Sequence, residues 1–93
     1  MIYFVVDRAA NAVKIGYSLD LAGAHRRLST FQIGNPRELT LAAAVPGDMY
    51  TESLLHRQYQ ALRIRGEWYE FLGELREYVE QLRNYCNDTT LAS

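Results

Sequence analysis

The stretch from residue 2 to residue 17 constrains the fold most, because it has the pattern of a β-hairpin with little spare sequence. Residues 2–6 and 12–17 are rich in β-branched and aromatic side chains, and the polar segment between them has the length of a hairpin loop. Side chains alternate between the two faces of a strand, which places Lys14 and Gly16 on one side of the second strand. If Tyr3 of the first strand points to that side, a phenol and an amine stand together over a residue without a side chain.

The segment after the hairpin predicts a helix and a third strand. Asp20 is a suitable N-cap for a helix with a regular apolar stripe, and Gly34 is suited to end it. Residues 39–45 have the composition of a strand, although their alanines are also compatible with a helix.

The second half of the chain predicts two more helices. One is capped by Asp48 and ends at Gly66, and the last begins at Gly73 with apolar residues at helical spacing. Between them, residues 67–71 alternate charged and aromatic side chains, as a short strand does. We therefore expect an α/β domain of the α+β type, a small three-stranded antiparallel sheet flanked by helices. It should span residues 1–86, with a disordered tail over residues 87–93.

Composition limits the cellular setting more than it limits the function. The 93 residues are enough for one domain, and the 48% apolar share is typical of a folded globule. Cys86 is the single cysteine of the sequence and cannot form an internal disulfide, which suits a reducing compartment. No apolar run approaches the ~20 residues of a membrane span. We expect a soluble, cytoplasmic protein without a membrane segment.

The distribution of charge is more informative than the net charge of −1, which by itself argues against a nucleic-acid partner. Arginine and histidine are concentrated in the first two thirds of the chain, whereas glutamate is concentrated in the last third. A basic face with an acidic back is compatible with DNA binding, and charges that are simply solvated are the alternative explanation.

Several short motifs occur in an order that resembles a known family. They are Ile2-Tyr3, Lys14-Ile15-Gly16-Tyr17-Ser18, Arg27-Leu28, Gln32, Gly34-Asn35-Pro36, Glu52-Ser53-Leu54-Leu55-His56-Arg57 and Gly66-Glu67-Trp68-Tyr69. The set resembles the GIY-YIG nucleases, in particular their small phage and "meiotically up-regulated" branch. The chain departs from the pattern with Met1 at the first glycine, with Lys14 at the second tyrosine, and with a short insertion before Arg27.

The resemblance implies a role for each matching residue. Tyr3 would orient or deprotonate the attacking water, and Glu52 would hold a single divalent metal, Mg²⁺ or Mn²⁺. Arg27 would bind the phosphate, with Arg26 as the alternative because of the insertion. Neighbouring cations, among them Lys14, would lower the pKa of the tyrosine.

The remaining candidate residues are expected around this centre. His56 would assist the tyrosine or touch phosphate, and a packed histidine is the alternative. Tyr17 would line the same site or pack within the sheet. Gly16 and Arg57 are expected on the substrate side, together with Arg26. Glu67 is expected to support the site as the partner of a basic residue.

The function expected on this basis is metal-dependent endonucleolytic cleavage of DNA by direct attack of water. One alternative is a nucleic-acid-binding module that has the fold and does not cut. Another is a protein-interaction domain that uses its acidic last helix. A catalytic unit of this size has little room to read bases. Low specificity, a preference for DNA structure, and a protein partner or second copy that supplies specificity are the open alternatives.

Overall fold

The computed structural model describes the backbone of residues 1–92 and the side chains of residues 1–87. Its elements in chain order are β1 (Ile2–Asp7), β2 (Ala12–Tyr17), α1 (Leu21–Gln32), β3 (Leu39–Val45), α2 (Met49–Gln58), β4 (Arg63–Arg65), β5 (Trp68–Glu70) and α3 (Gly73–Ala92). A single 3₁₀ turn, Gln60–Leu62, joins α2 to β4. A disordered tail is predicted for residues 87–93. The side chains beyond Asn87 lie outside the described part of the structure, so the tail stays a prediction.

The sheet has five strands in the order β3-β1-β2-β5-β4, and each neighbouring pair is antiparallel. The predicted α+β class is therefore right, whereas the predicted three-stranded sheet is wrong. The difference is the small hairpin of β4 and β5, which extends the sheet beyond β2. The strand predicted for residues 67–71 is present as β5, whereas β4 lies where the longer α2 was predicted and exposes all three of its residues.

Strand β1 occupies the centre of the sheet, and all six of its residues are buried. On one face, Phe4 and its neighbours pack against α2 and α3 through residues such as Leu55 and Leu75. On the other face, Tyr3 packs with α1 through Ala24 and a partly buried rim that includes Phe31. The fold thus has an apolar layer on each side of one central strand.

Local capping fixes where the helices begin. The Asp20 carboxylate accepts the backbone N–H of Gly23 at 2.7 Å, and Asp48 forms a capping box with Thr51. Both predicted caps are confirmed. Helix α1 ends at Gln32, and Gly34 follows it with φ of +74°, a conformation that glycine adopts without strain.

Helix α2 is shorter than predicted. It ends at Gln58 rather than at Gly66, and the chain then turns and becomes extended at Arg63. The apolar spacing of Leu55, Tyr59 and Leu62 has a helical period, but Leu62 reaches the core from the 3₁₀ turn instead. Pairing of β4 with β5 therefore outweighs the local helical pattern. In the part of the chain that the structure describes, no helix is long and apolar enough to cross a membrane.

The two leucines at the start of α3 test how this helix is held to the sheet. Leu75 is fully buried, whereas Leu72, just before the helix, is 42% exposed. Leu75→Ala should lower the free energy of unfolding by ~2–5 kcal/mol, because it leaves a cavity in the larger core. Leu72→Ala should cost less than about 1 kcal/mol, because much of its side chain is already in water. Urea unfolding of both variants measures the difference, and equal losses would contradict the assigned orientation of α3.

Candidate active site

The ring of Tyr3 lies directly over Gly16 on the neighbouring strand. The two residues are register partners in the β1–β2 pair. A β-carbon placed on residue 16 would lie 2.3 Å from Cζ and 2.4 Å from Oη of the tyrosine, so that only glycine fits beneath the ring. The predicted stacking of a phenol over a residue without a side chain is confirmed. Gly16 is itself buried, so it positions Tyr3 rather than facing a substrate.

Lys14 lies on the same face of the sheet in an enclosed position. Its Nζ is 3.2 Å from Oε2 of Glu67, and only 14% of the side chain is exposed. The ammonium also lies 4.7 Å from the centre of the Phe31 ring and 6.0 Å from that of Trp68. A charge removed from water in this way needs an opposite charge and polarisable neighbours, and it has both.

Strand β2 is paired with β5 only as far as Lys14, so the edge of β2 beyond Lys14 is free of β5. The second half of the site forms at this free edge. Pairing with β5 extends from Ala12 to Lys14, after which the N–H of Ile15 donates to the carbonyl of Glu67 at 3.1 Å. The carbonyl of Ile15 lies 2.9 Å from Nε2 of His56. A carbonyl only accepts, so Nε2 carries the hydrogen and only Nδ1 of His56 stays available for another partner.

Glu52 precedes His56 by one helical turn and lies among several charges. Partial burial raises the pKa of its carboxyl, and the negative charge of Glu67 raises it further. The charges of His56, Lys14 and Arg27 act in the opposite direction. Glu52 is thus close to a second carboxylate and to the cations that the sequence placed at this site.

The hydroxyl of Tyr3 is influenced by the same groups. Burial is the largest effect and raises its pKa above the ordinary value of 10, and the charges of Glu67 and Glu52 add to the rise. Arg27 lowers the pKa through its charge and through a hydrogen bond, without reversing the balance. Tyr3 is therefore a neutral phenol near neutral pH. The expectation that neighbouring cations would lower its pKa fails because the side chain is only 1% exposed.

The two neighbouring arginines of α1 differ in what they approach. The guanidinium of Arg27 acts on both Tyr3 and Glu52, whereas Arg26 influences neither. A terminal nitrogen of Arg26 lies over Gly23, on the side of α1 that carries the Asp20 cap. The structure thus brings Arg27, and not Arg26, to the tyrosine, although both line a cleft of about 380 Å³ beside the start of α1.

Tyr17 and Arg57 lie apart from Tyr3. Tyr17 is half-buried against the core cluster on the opposite face of the sheet, where α2 and α3 pack. This agrees with the packing alternative. Arg57 is exposed and lines a cleft of about 540 Å³ together with Glu52, His56 and Glu67.

Arg63 is a residue of this cleft that the sequence analysis did not select. It lines the same cavity, and its charge lowers the pKa of Tyr69 against the effect of burial. It was overlooked because it was assigned to the end of a longer α2. The alternation Arg63-Ile64-Arg65 immediately before Gly66 is a hairpin signal that could have revealed it.

The donor set restricts how a metal ion could bind. No group of three or more histidine, cysteine, aspartate or glutamate side chains with the geometry of a metal site occurs among the described residues. Glu52 and Glu67 are two carboxylates on one cleft, and the charge of Glu67 raises the pKa of Glu52. Mg²⁺ commonly binds one or two carboxylates and completes its shell with water and phosphate oxygens. The residues present fit that mode of binding.

Comparison with known proteins corrects the family assignment. The sequence model of the T5orf172 domain matches residues 1–88. This match, and not one to a GIY-YIG family, accounts for almost the whole chain, so the GIY-YIG assignment made from the ordered motifs is wrong. Those motifs were short, and a few small strand residues recur in many folds. No curated protein and no solved structure matches the chain significantly.

The contact between Tyr3 and Gly16 gives a double-mutant test of the site's geometry. Gly16→Ala should cost ~1–3 kcal/mol of unfolding free energy, because the methyl group collides with the ring and forces it to move. In a Tyr3→Leu background the same change should cost clearly less, since leucine has no ring over residue 16. Urea unfolding of the four proteins gives the coupling energy. An identical cost in both backgrounds would mean that the ring does not occupy this position.

Proposed function

The chain belongs to the T5orf172 domain family, and we propose that it is a metal-dependent endonuclease that hydrolyses DNA phosphodiester bonds by attack of water. Membership of this family is compatible with a nuclease-related or DNA-binding role. The proposal adds to this role a catalytic activity and a bound metal ion. Its support comes from the side chains at the free edge of β2.

The observation that carries the proposal is the convergence of three residues from three separate elements. The charges of Arg27 of α1 and Glu52 of α2 both act on the pKa of Tyr3 of β1, and the charge of Arg27 also acts on that of Glu52. Purely structural charges usually form pairs that neutralise each other. Here a phenol, a guanidinium and a carboxylate lie near one another, with Glu52 on an open cleft, and this is the set that phosphodiester hydrolysis uses.

Arg27 is the proposed phosphate ligand. Its guanidinium presents a planar fork that matches two phosphate oxygens, and it is exposed at the mouth of the site. Its charge also acts on Tyr3, so the two side chains lie near one another. In the proposed complex, Tyr3 Oη binds the attacking water beside the phosphate that Arg27 holds. The neutral phenol then orients this water and does not need to ionise first.

Glu52 is the proposed metal ligand, with Glu67 beside it. Its raised pKa shows that a lone negative charge is costly there, and a bound cation relieves that cost. Mg²⁺ or Mn²⁺, when bound, supplies Lewis-acid stabilisation of the charge that develops on the phosphate. Lys14 fixes one oxygen of Glu67 and so limits how far that carboxylate can turn. His56 holds α2 to β2 through its bond to Ile15 and keeps Glu52 at the cleft.

DNA binding without cleavage is the second candidate, and the burial of Tyr3 favours it. Tyr3 is only 1% exposed, so its hydroxyl has little contact with solvent, whereas a catalytic group must reach the attacking water. Incubation with supercoiled plasmid plus Mg²⁺ or Mn²⁺, with a chelator control, separates the two functions. Nicked or linear plasmid that forms only with metal supports the nuclease. Plasmid that is retarded but intact under every metal condition supports the binding module.

Arg27→Lys should remove most cleavage while the protein stays folded. The lysine keeps the charge but cannot present two parallel donors to the phosphate. A loss of about 10²–10³ in rate is the usual effect of removing one such donor. Arg26→Lys is the matched control. Arg26 is the neighbour of Arg27 on α1, but it does not approach Tyr3. The assignment would be wrong if the Arg26 variant lost activity and the Arg27 variant kept it.

Glu52→Gln should separate DNA binding from catalysis. Glutamine is similar in size and tolerated in helices, so the melting temperature should change little, while the loss of charge weakens a hard-oxygen site for Mg²⁺. Retardation of DNA in a chelator should persist or tighten slightly, since a negative charge near phosphate has gone. Plasmid cleavage, calorimetric Mg²⁺ titration and a gel shift report the three properties. Full cleavage at moderate Mg²⁺ would remove Glu52 from the metal site.

A further inference from the structure

The β4–β5 hairpin forms a ridge at the outer edge of the sheet, with a cleft on each side. Strand β4 is the last strand of the sheet, and its three residues are exposed. A bulge interrupts its register between Arg63 and Arg65. Because of this bulge, the two arginines line different clefts, the first the cleft of Glu52 and the second a cleft of about 470 Å³ bounded by Arg37. We call residues 63–65 the arginine ridge.

The two arginines of the ridge form no ion pair among the described side chains. In the part of the chain whose side chains are described, Arg65 forms no ion pair, and Arg63 bonds only to the backbone carbonyl of Gly66, at 2.9 Å. Arg37, across the second cleft, donates through Nε to the buried Asp7 at 2.7 Å. That bond leaves the two terminal nitrogens of Arg37 for an external acceptor. Three guanidinium groups thus flank one exposed hairpin.

Protection of a free sheet edge is the simplest alternative role for such arginines. Charged side chains on an edge strand prevent the addition of another strand. That role does not explain Ile64, which is 55% exposed at the centre of the same strand and favours strand addition. It also does not explain why the bulge sends the two arginines into two clefts. An external ligand with negative charge on both sides of the hairpin explains the placement of the two arginines.

We propose that the arginine ridge docks against duplex DNA, with Arg63 and Arg65 each contacting a phosphate of a different strand. The proposal rests on the function proposed above and adds the surface by which the substrate is held. A two-stranded ribbon fits the major groove, which is about 12 Å wide and is bordered by one phosphate backbone on each side. Arg63 then lies on the strand that enters the Glu52 cleft, and Arg65 lies with Arg37 on the other strand.

Single-stranded nucleic acid fits this surface less well. Proteins that bind single strands stack successive bases on exposed aromatic rings. At the ridge, Tyr69 is buried and Trp68 is half-buried beside Lys14. The most exposed described tyrosines, Tyr50 and Tyr85, lie on α2 and α3 and not on the hairpin. The ridge therefore has the positive charge and the width to contact a duplex, and its described residues include no exposed aromatic ring on which bases could stack.

Arg65→Gln is the direct test, since Arg65 lies outside the Glu52 cleft. A short labelled duplex is titrated with protein in a chelator at several salt concentrations, and cleavage of the same duplex is measured with Mg²⁺. The Kd should rise about tenfold for the loss of one charge-assisted phosphate contact. The salt slope should fall by about one. KM should rise while kcat at saturating duplex stays unchanged.

Arg83→Gln is the matched control. It removes the same charge from α3, at 43% side-chain exposure, beside Glu80 and away from β4. The ridge proposal is supported if Arg83→Gln has the Kd, salt slope and KM of the wild type while Arg65→Gln shows the expected changes. If the wild type binds and cuts duplex and Arg65→Gln matches it, the ridge proposal is wrong and the nuclease stands. If the wild type binds a single strand of the same sequence as tightly as it binds the duplex, the ridge proposal is also wrong. A wild type that neither binds nor cuts duplex overturns both proposals.

Discussion

The contact of Tyr3 with Gly16 is the constraint on which the rest of the site depends. It joins the two central strands at a point where no other residue type fits, and it fixes the height of the phenol above the sheet. Helix α1 packs over this ring through Ala24, so the position of Arg27 follows from it. Strain or loss at this contact moves the guanidinium as well as the tyrosine. The packing of the central strands therefore also sets the positions of the proposed catalytic groups.

The free edge of β2 is the second constraint. A strand with two neighbours along its whole length would have no backbone groups to offer. Because β5 is short, the polar groups of Ile15 beyond the paired segment bond instead to Glu67 and His56. These two bonds satisfy backbone groups that would otherwise be costly to bury. They also draw α2 and the β4–β5 hairpin to the same point. The shortness of the outer hairpin thus creates the place where residues from both halves of the chain meet.

Much of the fold could be predicted because the signals were local. The hairpin from residue 2 to residue 17, the Asp20 and Asp48 caps and the third strand all depend on alternation or capping within a few residues. Strand β4 has only one weak local signal, the alternation Arg63-Ile64-Arg65 before Gly66. Its stability comes from pairing with β5, and the spacing of Leu55 and Leu62 continued a helical period across it. The family was misassigned for a related reason, because short motifs around single glycines do not identify a fold by themselves.

The sequence placed Tyr3, Lys14 and Glu52 at the candidate site and missed Arg63, and it did not predict the direction of the pKa shift of the tyrosine. Strand alternation placed Lys14 and Gly16 beside Tyr3, but it gave no measure of burial. Burial decides the sign of the pKa shift of the phenol, since removing it from water outweighs the charge of Arg27. The pairing of Lys14 with Glu67 likewise required β5 to be next to β2. Tertiary position, rather than residue type, sets the chemistry available to these groups.

The balance of charge at this site bears on how a phosphodiester could be cleaved there. Lys14 and Arg27 are two cations, and Glu52 and Glu67 are two carboxylates, so the formal charges of the four groups cancel. A bound phosphodiester adds one negative charge, and attack by water adds another as the transition state forms. Arg27 can follow the phosphate, but Lys14 is enclosed by Phe31, Trp68 and Glu67 and cannot. Arg57 and Arg63 line the Glu52 cleft and add positive charge beside these four groups. A divalent cation bound at Glu52 would add more, without any rearrangement of the buried pair.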